Sequence, residues 1–189
     1  MKKIICLLLA VLMIFSLCAC TKSKTYKAEI EVENYGTIKL ELDGKAAPIT
    51  VENFVKLAKS GFYDGLSFHR VVNNFMIQGG DPKFDCTGNA SETIKGEFFL
   101  NGYKNPISHT RGVISMARGS YSNDSASCQF FICQVDCSEV LDGMYAAFGK
   151  VTEGMEIVDK ICQDCTTGDE SGILPREDQP TITSIKIIE

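Results

Sequence analysis

The sequence contains no tryptophan and only two histidines, His69 and His109. Two imidazoles exclude a metal site built mainly from histidine, and a serine–histidine–aspartate triad would have to use one of them. His69 stands inside an apolar strand pattern, and no serine occurs in the context of a nucleophile elbow. We therefore predict structural hydrogen bonding for both histidines, and the sequence disfavours a hydrolase.

The chain also lacks the glycine-rich loops that bind phosphate groups. Neither GxxxxGK[ST] nor GxGxxG occurs, and Asp81 and Asp85 do not have the spacing of an EF-hand calcium loop. The 19 basic residues are outnumbered by 24 acidic ones, and the net charge is −5. Because no basic patch is present, the chain offers no surface for nucleic acid. Nucleotide, calcium and nucleic-acid functions are all disfavoured.

What the sequence does contain begins with an export signal. A basic start, MKK, precedes an apolar run, IICLLLAVLMIFSL, that is shorter than the about 20 residues of a membrane span. The run ends in LCAC, which resembles the lipobox of bacterial lipoproteins. We predict a signal peptide at residues 1–19, a lipidated Cys20 with a tether at 20–25, and an extracytoplasmic protein that is lipid-anchored to the bacterial cell membrane. An uncleaved anchor helix or an ordinary cleavage site is the alternative.

Nine cysteines are present, and three of them, Cys6, Cys18 and Cys20, lie in the signal and its lipobox. The other six permit disulfides in an exported chain but do not fix their pairing; they are Cys86, Cys128, Cys133, Cys137, Cys162 and Cys165. The last two, in CQDC, have the spacing of a redox pair or of two zinc ligands. A thioredoxin-like redox pair stands at the start of a helix that follows a strand, whereas this pair stands at the end of a helical pattern. Zinc would need two more ligands, for which Cys133 and Cys137 are the candidates. Disulfides, zinc and free thiols all stay open.

In the remaining chain, apolar residues recur with two kinds of spacing, that of a strand and that of a helix. Residues 26–43 alternate between apolar and polar side chains around an NYG turn, which predicts an antiparallel hairpin with one buried face. APITVENFVKLAKSG has apolar residues at helical spacing, and a second helix is predicted near GMEIVDKICQ. Further short apolar runs predict strands: SFHRVV, FMIQGG, GVISMA, QFFICQ, AAFGKV and TITSIKII. Seven or eight strands and two helices favour one closed barrel with helices covering its ends.

One stretch, FHRVVNNFMIQGGD, places the fixed cation Arg70 among apolar side chains with no nucleophile beside it. Rotation about a prolyl peptide bond needs no nucleophile, because its barrier of about 18–20 kcal/mol comes from amide resonance. An apolar slot for the proline ring lowers this barrier when a cation hydrogen-bonds the prolyl nitrogen as that nitrogen pyramidalises. The stretch therefore suits a prolyl isomerase.

Four motifs, FHRVVNNFMIQGGD, GVISMAR, QFFI and LDGMYAAFGKV, make residues 26–189 resemble the cyclophilin-type peptidyl-prolyl isomerases. The resemblance implies a mainly β fold, a closed eight-stranded antiparallel barrel capped by two α-helices, with the active groove on its outer face. It also implies isomerase activity on proline-containing polypeptides, here exported proteins, with no cofactor or metal. We expect a monomer that does not bind nucleic acid.

By position in these motifs, the resemblance implies catalytic roles for Arg70, which would hydrogen-bond the proline, and for Gln78 beside it. It implies substrate-binding roles for an apolar slot, its polar neighbours and the adjoining subsite: Phe75, Met76, Ala117, Arg118, Gln129, Phe131, Leu141 and Tyr145.

Three residues depart from the family pattern. Val140 stands where the best-known members carry tryptophan, Tyr145 where they often carry histidine, and Arg118 where asparagine is usual. Because the rim tryptophan helps cyclophilins to bind cyclosporin, we expect weak cyclosporin binding here. Two other functions stay open: a non-catalytic module or chaperone for proline-containing segments, and a thiol-redox protein using CQDC. The presence of Arg70 favours the enzyme, because a binding module has no need of the cation.

Overall fold

A computed structural model of the protein describes residues 24–165 and 171–188. The predicted signal peptide at 1–19 and the predicted lipidation site Cys20 lie outside the described residues. Within the described ranges, no helix combines the length and apolar character that crossing a membrane requires.

The first two strands form the predicted hairpin. Strand β1, Thr25–Val32, pairs antiparallel with β2, Gly36–Asp43, and Ile30 lies opposite Ile38. Both isoleucines are fully buried, whereas the lysine and glutamate side chains between the apolar positions are at least partly exposed. The period of two in the sequence therefore places one face of the hairpin in the core.

Six further strands complete an antiparallel sheet, and each contains part of one of the predicted apolar runs. They are β3 Phe68–Val72, β4 Met76–Gly79, β5 Val113–Met116, β6 Phe130–Cys133, β7 Ala146–Glu153 and β8 Ile182–Ile187. The order across the sheet is β3-β4-β6-β5-β7-β2-β1-β8.

The prediction of a closed barrel is wrong, because this sheet is a curled half-barrel. Its edge strands, β3 and β8, do not pair along their length. In the described part of the chain they meet only where both begin, at a bridge between Ser67 and Thr181 with three backbone hydrogen bonds between residues 65–68 and 180–182. Beyond that bridge another segment occupies the edge of β3, since the Val71 N–H donates to the Gly172 carbonyl at 2.8 Å. Gly172 has a φ of +70°, and a Cβ there would lie 2.6 Å from the Val71 oxygen. Only glycine permits this close approach.

Three α-helices accompany the sheet, where the sequence predicted two. They are α1 Pro48–Lys59, α2 Ser138–Leu141 and α3 Met155–Asp164. Helix α2 is a single turn, which is too short to leave a 3.6-residue period in the sequence. Short 3₁₀ turns occur at Phe99–Asn101 and Arg176–Asp178.

A buried carboxylate from a distant loop holds the N-terminus of α1. Glu97 is fully buried and accepts hydrogen bonds from the N–H groups of Ile49 and Thr50 and from the Thr50 hydroxyl. Its negative charge lies at the positive end of the helix dipole, which stabilises the arrangement. The contact fixes the loop whose next residue, Phe98, supports the candidate site.

Strand β6 separates two apolar clusters. Phe130 and Ile132 belong to the main core, together with the aromatic rings of Phe54 and Phe148. Phe131 belongs to a smaller outer cluster with the following buried residues: Met76, Cys133, Cys137 and Leu141. Successive side chains of a strand point to opposite faces, and every residue of β6 is buried. This is why β6 appears in the sequence as an unbroken apolar run.

Candidate active site

The strand register sets one row of side chains on the outer face of the half-barrel. Arg70 of β3 pairs with Gln78 of β4, Gln78 pairs with Phe131 of β6, and Phe131 pairs with Ser115 of β5. Directly paired residues on neighbouring antiparallel strands have Cβ atoms about 4.5–5.5 Å apart. The register therefore brings a cation, an amide, an aromatic ring and a hydroxyl together from four strands.

Beside this row lies a hollow of about 160 Å³ that is lined mostly by apolar side chains together with Arg70, Gln78 and Arg118, and it is called the apolar hollow below. Met76, Phe131 and Leu141 line it and are almost completely buried, whereas Phe75 and Tyr145 are half-buried. Every residue predicted for the isomerase site lines the hollow except Gln129. The structure thus brings the predicted residues together, and their individual roles stay predictions.

A chain of hydrogen bonds fixes Arg70 beside the hollow. Its Nε donates to the Ser171 carbonyl at 2.7 Å, and its Nη1 donates to Gln78 Oε1 at 3.3 Å. Gln78 Nε2 donates to Gln129 Oε1 at 2.8 Å, and Gln129 Nε2 donates to the Gly88 carbonyl at 2.7 Å. Because the chain ends at a backbone carbonyl, the orientation of both amides is set and Gln78 presents its oxygen to the arginine. Gln129 thus supports Gln78 from outside the hollow.

A second arginine supports the opposite wall. Arg118 Nε donates to the Met144 carbonyl at 2.9 Å, and its guanidinium carbon lies 5.0 Å from the centroid of the Tyr145 ring. The same guanidinium lies 5.2 Å from the ring centroid of Phe98. Tyr145 in turn meets Phe131 edge-on, with centroids 5.7 Å apart. These cation–π and aromatic contacts hold the Tyr145 ring at the hollow.

A family comparison accounts for this combination of a half-barrel, an apolar hollow and a fixed arginine. The model of the family described as cyclophilin type peptidyl-prolyl cis-trans isomerase/CLD matches residues 27–189. The chain belongs to this family. It is an enzyme of the peptidyl-prolyl cis-trans isomerase class, EC 5.2.1.8.

Individual peptidyl-prolyl cis-trans isomerases resemble the chain over most of its length. A peptidyl-prolyl cis-trans isomerase of Helicobacter pylori is 48% identical over 143 residues, which cover 75% of this chain and 83% of that protein. Peptidyl-prolyl cis-trans isomerase A of Dickeya dadantii is 42% identical over 162 residues, covering 82% and 80%. The crystal structure of a cyclophilin type isomerase of Cryptosporidium parvum in the presence of the dipeptide Ala-Pro superimposes with a TM-score of 0.75 at 29% identity, covering 86% and 99%.

Behind the hollow, this cyclophilin-type isomerase carries a buried histidine to which the sequence assigned only structural hydrogen bonds. The His109 ring stacks on Phe131 with centroids 6.1 Å apart and ring planes at 14°. Its Nδ1 lies 2.7 Å from Asp142 Oδ1, and its Nε2 lies 3.0 Å from the Ser115 hydroxyl. Burial lowers the pKa of His109, and the hydrogen bond and charge of Asp142 oppose this only in part. The neutral ring therefore donates to Asp142 and accepts from Ser115.

Asp142, which accepts the hydrogen bond from the His109 ring, is itself held by further hydrogen bonds. Partial burial raises the pKa of Asp142, but hydrogen bonds from the Ser108 hydroxyl, the His109 N–H and the His109 ring hold it below its usual value. The sequence could not reveal this group, because Asp142 is 33 positions from His109 and the pattern around either residue predicts no contact.

The other histidine takes no part in the site. His69 precedes Arg70 in β3 and is fully buried, and neither ring nitrogen has a hydrogen-bond partner among the described residues. The structural hydrogen bonding predicted for His69 is therefore not found. Burial lowers its pKa, so the ring is neutral near pH 7. A catalytic triad on His69 therefore finds no support among the described residues.

The six cysteines of the described chain are free thiols. In the CQDC pair, burial raises the pKa of Cys162 to about 12 and also raises the pKa of Cys165. A redox-active thiol needs the opposite shift. No group of three or more His, Cys, Asp or Glu side chains within the described ranges is arranged to hold a metal ion. The redox and zinc alternatives therefore gain no support from the structure.

Proposed function

We propose that the protein accelerates cis–trans isomerisation of Xaa-Pro bonds in exported proteins, with Arg70 acting directly on the prolyl amide. One observation carries this proposal: Arg70 is held beside the apolar hollow by the Ser171 carbonyl and by Gln78. No carboxylate in the described part of the chain forms an ion pair with Arg70. Its charge is therefore available to a bound peptide.

In the proposed mechanism the proline ring enters the hollow against Phe75, Met76 and Phe131. As the C–N bond twists, it loses double-bond character and the prolyl nitrogen regains its lone pair. Arg70 donates a hydrogen bond to that lone pair, an interaction that the planar ground state cannot make. The stabilisation is therefore specific to the transition state.

The energy required is modest for such a site. Uncatalysed isomerisation takes tens of seconds, so turnover in milliseconds needs roughly 10⁴-fold acceleration, which is about 5.5 kcal/mol. A single preorganised donor in a water-excluding site supplies about 3–4 kcal/mol. Exclusion of water from the hollow and peptide contacts near Ala117 and Arg118 supply the rest. The mechanism breaks and forms no covalent bond and uses no cofactor.

The decisive experiment measures exchange between the cis and trans signals of a short Ala-Pro peptide by NMR. With enzyme at about one-hundredth of the peptide concentration, we expect exchange rates to rise in proportion to enzyme. Binding without catalysis would shift or broaden signals only near stoichiometric protein and would not accelerate exchange. That result would contradict the proposed isomerase activity and would favour the alternative function, a non-catalytic proline-binding module or chaperone.

We further propose that the mature protein starts at a lipidated Cys20, is tethered by residues 20–25, and works as an extracytoplasmic monomer on the bacterial cell membrane. The basic start, the apolar run and LCAC support this location. Its clients would then be exported chains whose prolyl bonds limit folding.

A further inference from the structure

A second, larger hollow adjoins the apolar one. Its volume is about 540 Å³, and it shares Arg70, Gln78, Ala117 and Arg118 with the apolar hollow. The remaining wall is mostly polar and includes Thr87, Asn89, Ser125, Ser127 and Gln129. A peptide whose proline fills the first hollow would place the side chain of a neighbouring residue in the second, since one residue spans about 3.5 Å.

The described residues that line this second hollow carry charge of one sign. They include Arg70 and Arg118, and none of the described lining residues is acidic. Two carboxylates of the adjoining loops do not line the hollow: Asp85 accepts hydrogen bonds from Thr87, and Asp124 accepts them from Gly96 and Asn101. Arg118, like Arg70, has no ion-pair partner among the described residues. The charged groups by which the described residues line the hollow are therefore both positive, on a protein of net negative charge.

Arg118 is also held in place before any ligand arrives. Its Nε and Nη1 donate to the carbonyls of Met144 and Gly119, and its guanidinium is stacked on the rings of Phe98 and Tyr145. Carbonyl acceptors orient the cation without neutralising it. An arginine fixed in this way loses little side-chain entropy when it binds an anion.

From these contacts we propose that the second hollow binds an acidic side chain within about two residues of the proline, and that Arg118 determines this specificity. The preferred clients are then acidic Xaa-Pro segments. The inference rests on the proposed isomerase function, because the peptide enters the second hollow only when its proline occupies the first.

The test compares kcat/KM for matched peptides that carry Glu, Gln or Lys next to the proline or one residue further away, on either side. At one of these positions we expect the Glu peptide to exceed the Gln peptide by about fivefold, equivalent to about 1 kcal/mol, with Lys lowest. Because both guanidinium groups are partly exposed, the ratio should fall towards one in 1 M NaCl.

Two variants locate the effect. Arg118→Gln should bring the Glu-to-Gln ratio to about one, and Arg118→Lys should keep part of it. Lys186→Gln changes the net charge equally at an exposed position of β8 and should leave the wild-type ratio unchanged. If Arg118→Gln does not fold by circular dichroism, the salt titration of the wild type and Arg118→Lys carry the test.

The possible results distinguish failure of the acidic specificity from failure of the proposed isomerase function. Turnover of the Gln peptide tests the isomerase itself, and its absence would overturn both. Normal Gln turnover with equal Glu turnover at every position would overturn the acidic specificity alone. A Glu preference that persists in Arg118→Gln or in 1 M NaCl would remove Arg118 as its cause.

Discussion

Replacing His109 by alanine would test whether the buried ring behind Phe131 supports the proline hollow. His109 is 1% exposed and fills the space between Phe131 and Asp142. The substitution leaves a cavity beneath Phe131 and removes the partner of the buried Ser115 hydroxyl. Asp142 keeps its hydrogen bonds from the Ser108 hydroxyl and from the backbone N–H of residue 109, so its carboxylate does not lose all support.

The expected cost follows from these two losses. The cavity should cost about 2 kcal/mol, at the low end for large-to-small core substitutions, and the unsatisfied Ser115 hydroxyl about 1–2 kcal/mol. The free energy of unfolding should therefore fall by about 3–4 kcal/mol. Loss of the stacked partner of Phe131 removes about 0.5–1.5 kcal/mol of aromatic contact, which should raise KM about two- to tenfold.

Urea unfolding followed by circular dichroism measures the first quantity, and peptide exchange measures the second. Ser108→Ala, which removes only an outer hydrogen bond to Asp142, is the matched control and should cost less than about 1 kcal/mol. A His109→Ala protein that loses less than about 1 kcal/mol and keeps its KM would refute the idea that His109 supports the hollow.

The same residue predicts a pH dependence with a definite sign. Burial lowers the pKa of both His109 and His69, so the unfolded chain binds protons more readily than the folded protein below about pH 6.5. Stability should be fully present above pH 6.5 and should fall as the pH drops towards the folded pKa values, by up to about 1.4 kcal/mol per pH unit for each histidine. The slope should be smaller in His109→Ala.

Three further predictions address the rim, the thiols and the membrane anchor. Val140 is 55% exposed on α2 next to Leu141, so Val140→Trp should fit without repacking. The added apolar area and the indole N–H should tighten cyclosporin binding roughly 10²-fold, with little change in kcat/KM. Nanomolar cyclosporin binding by the wild type, measured by calorimetry, would contradict this. Cys86 is the only thiol of the described chain that is not buried, so brief iodoacetamide treatment of the native protein should label it first. Earlier labelling of any other described cysteine, found by peptide mapping, would contradict the burial. Cys20→Ala should release the protein from membranes into the soluble fraction, and unchanged detergent partitioning with residues 4–17 still attached would indicate an anchor helix.

The sequence predicted most of the site through its resemblance to the cyclophilin-type isomerases, which implied the residues by their positions in four motifs. The structure adds the reason that they meet, because Arg70, Gln78 and Phe131 occupy paired positions of β3, β4 and β6. The half-barrel could not be predicted, because its edge depends on a close approach between Gly172 and Val71 from distant parts of the chain.

The directions and contacts of individual side chains could not be predicted from the sequence either. The sequence marked Arg118 as a subsite residue that departs from the family pattern, and nothing in it indicates that the guanidinium lies over the rings of Phe98 and Tyr145. The interaction of His109 with Asp142 likewise depends on the position of α2, a single turn without a periodic signal.

The central claim is that Arg70 acts on the prolyl amide, and one comparison tests it most directly. Cis–trans exchange of an Xaa-Pro peptide should be measured for wild type, Arg70→Ala and Arg70→Lys, with peptide affinity determined in parallel. We expect kcat/KM to fall by on the order of 10²–10³ in Arg70→Ala, as for the loss of one preorganised donor, with Tm nearly unchanged. Arg70→Lys should recover only part of the rate, because a single ammonium cannot keep both the contact to Gln78 and the one to Ser171. Exchange close to the wild-type rate in a folded Arg70→Ala protein would contradict the account.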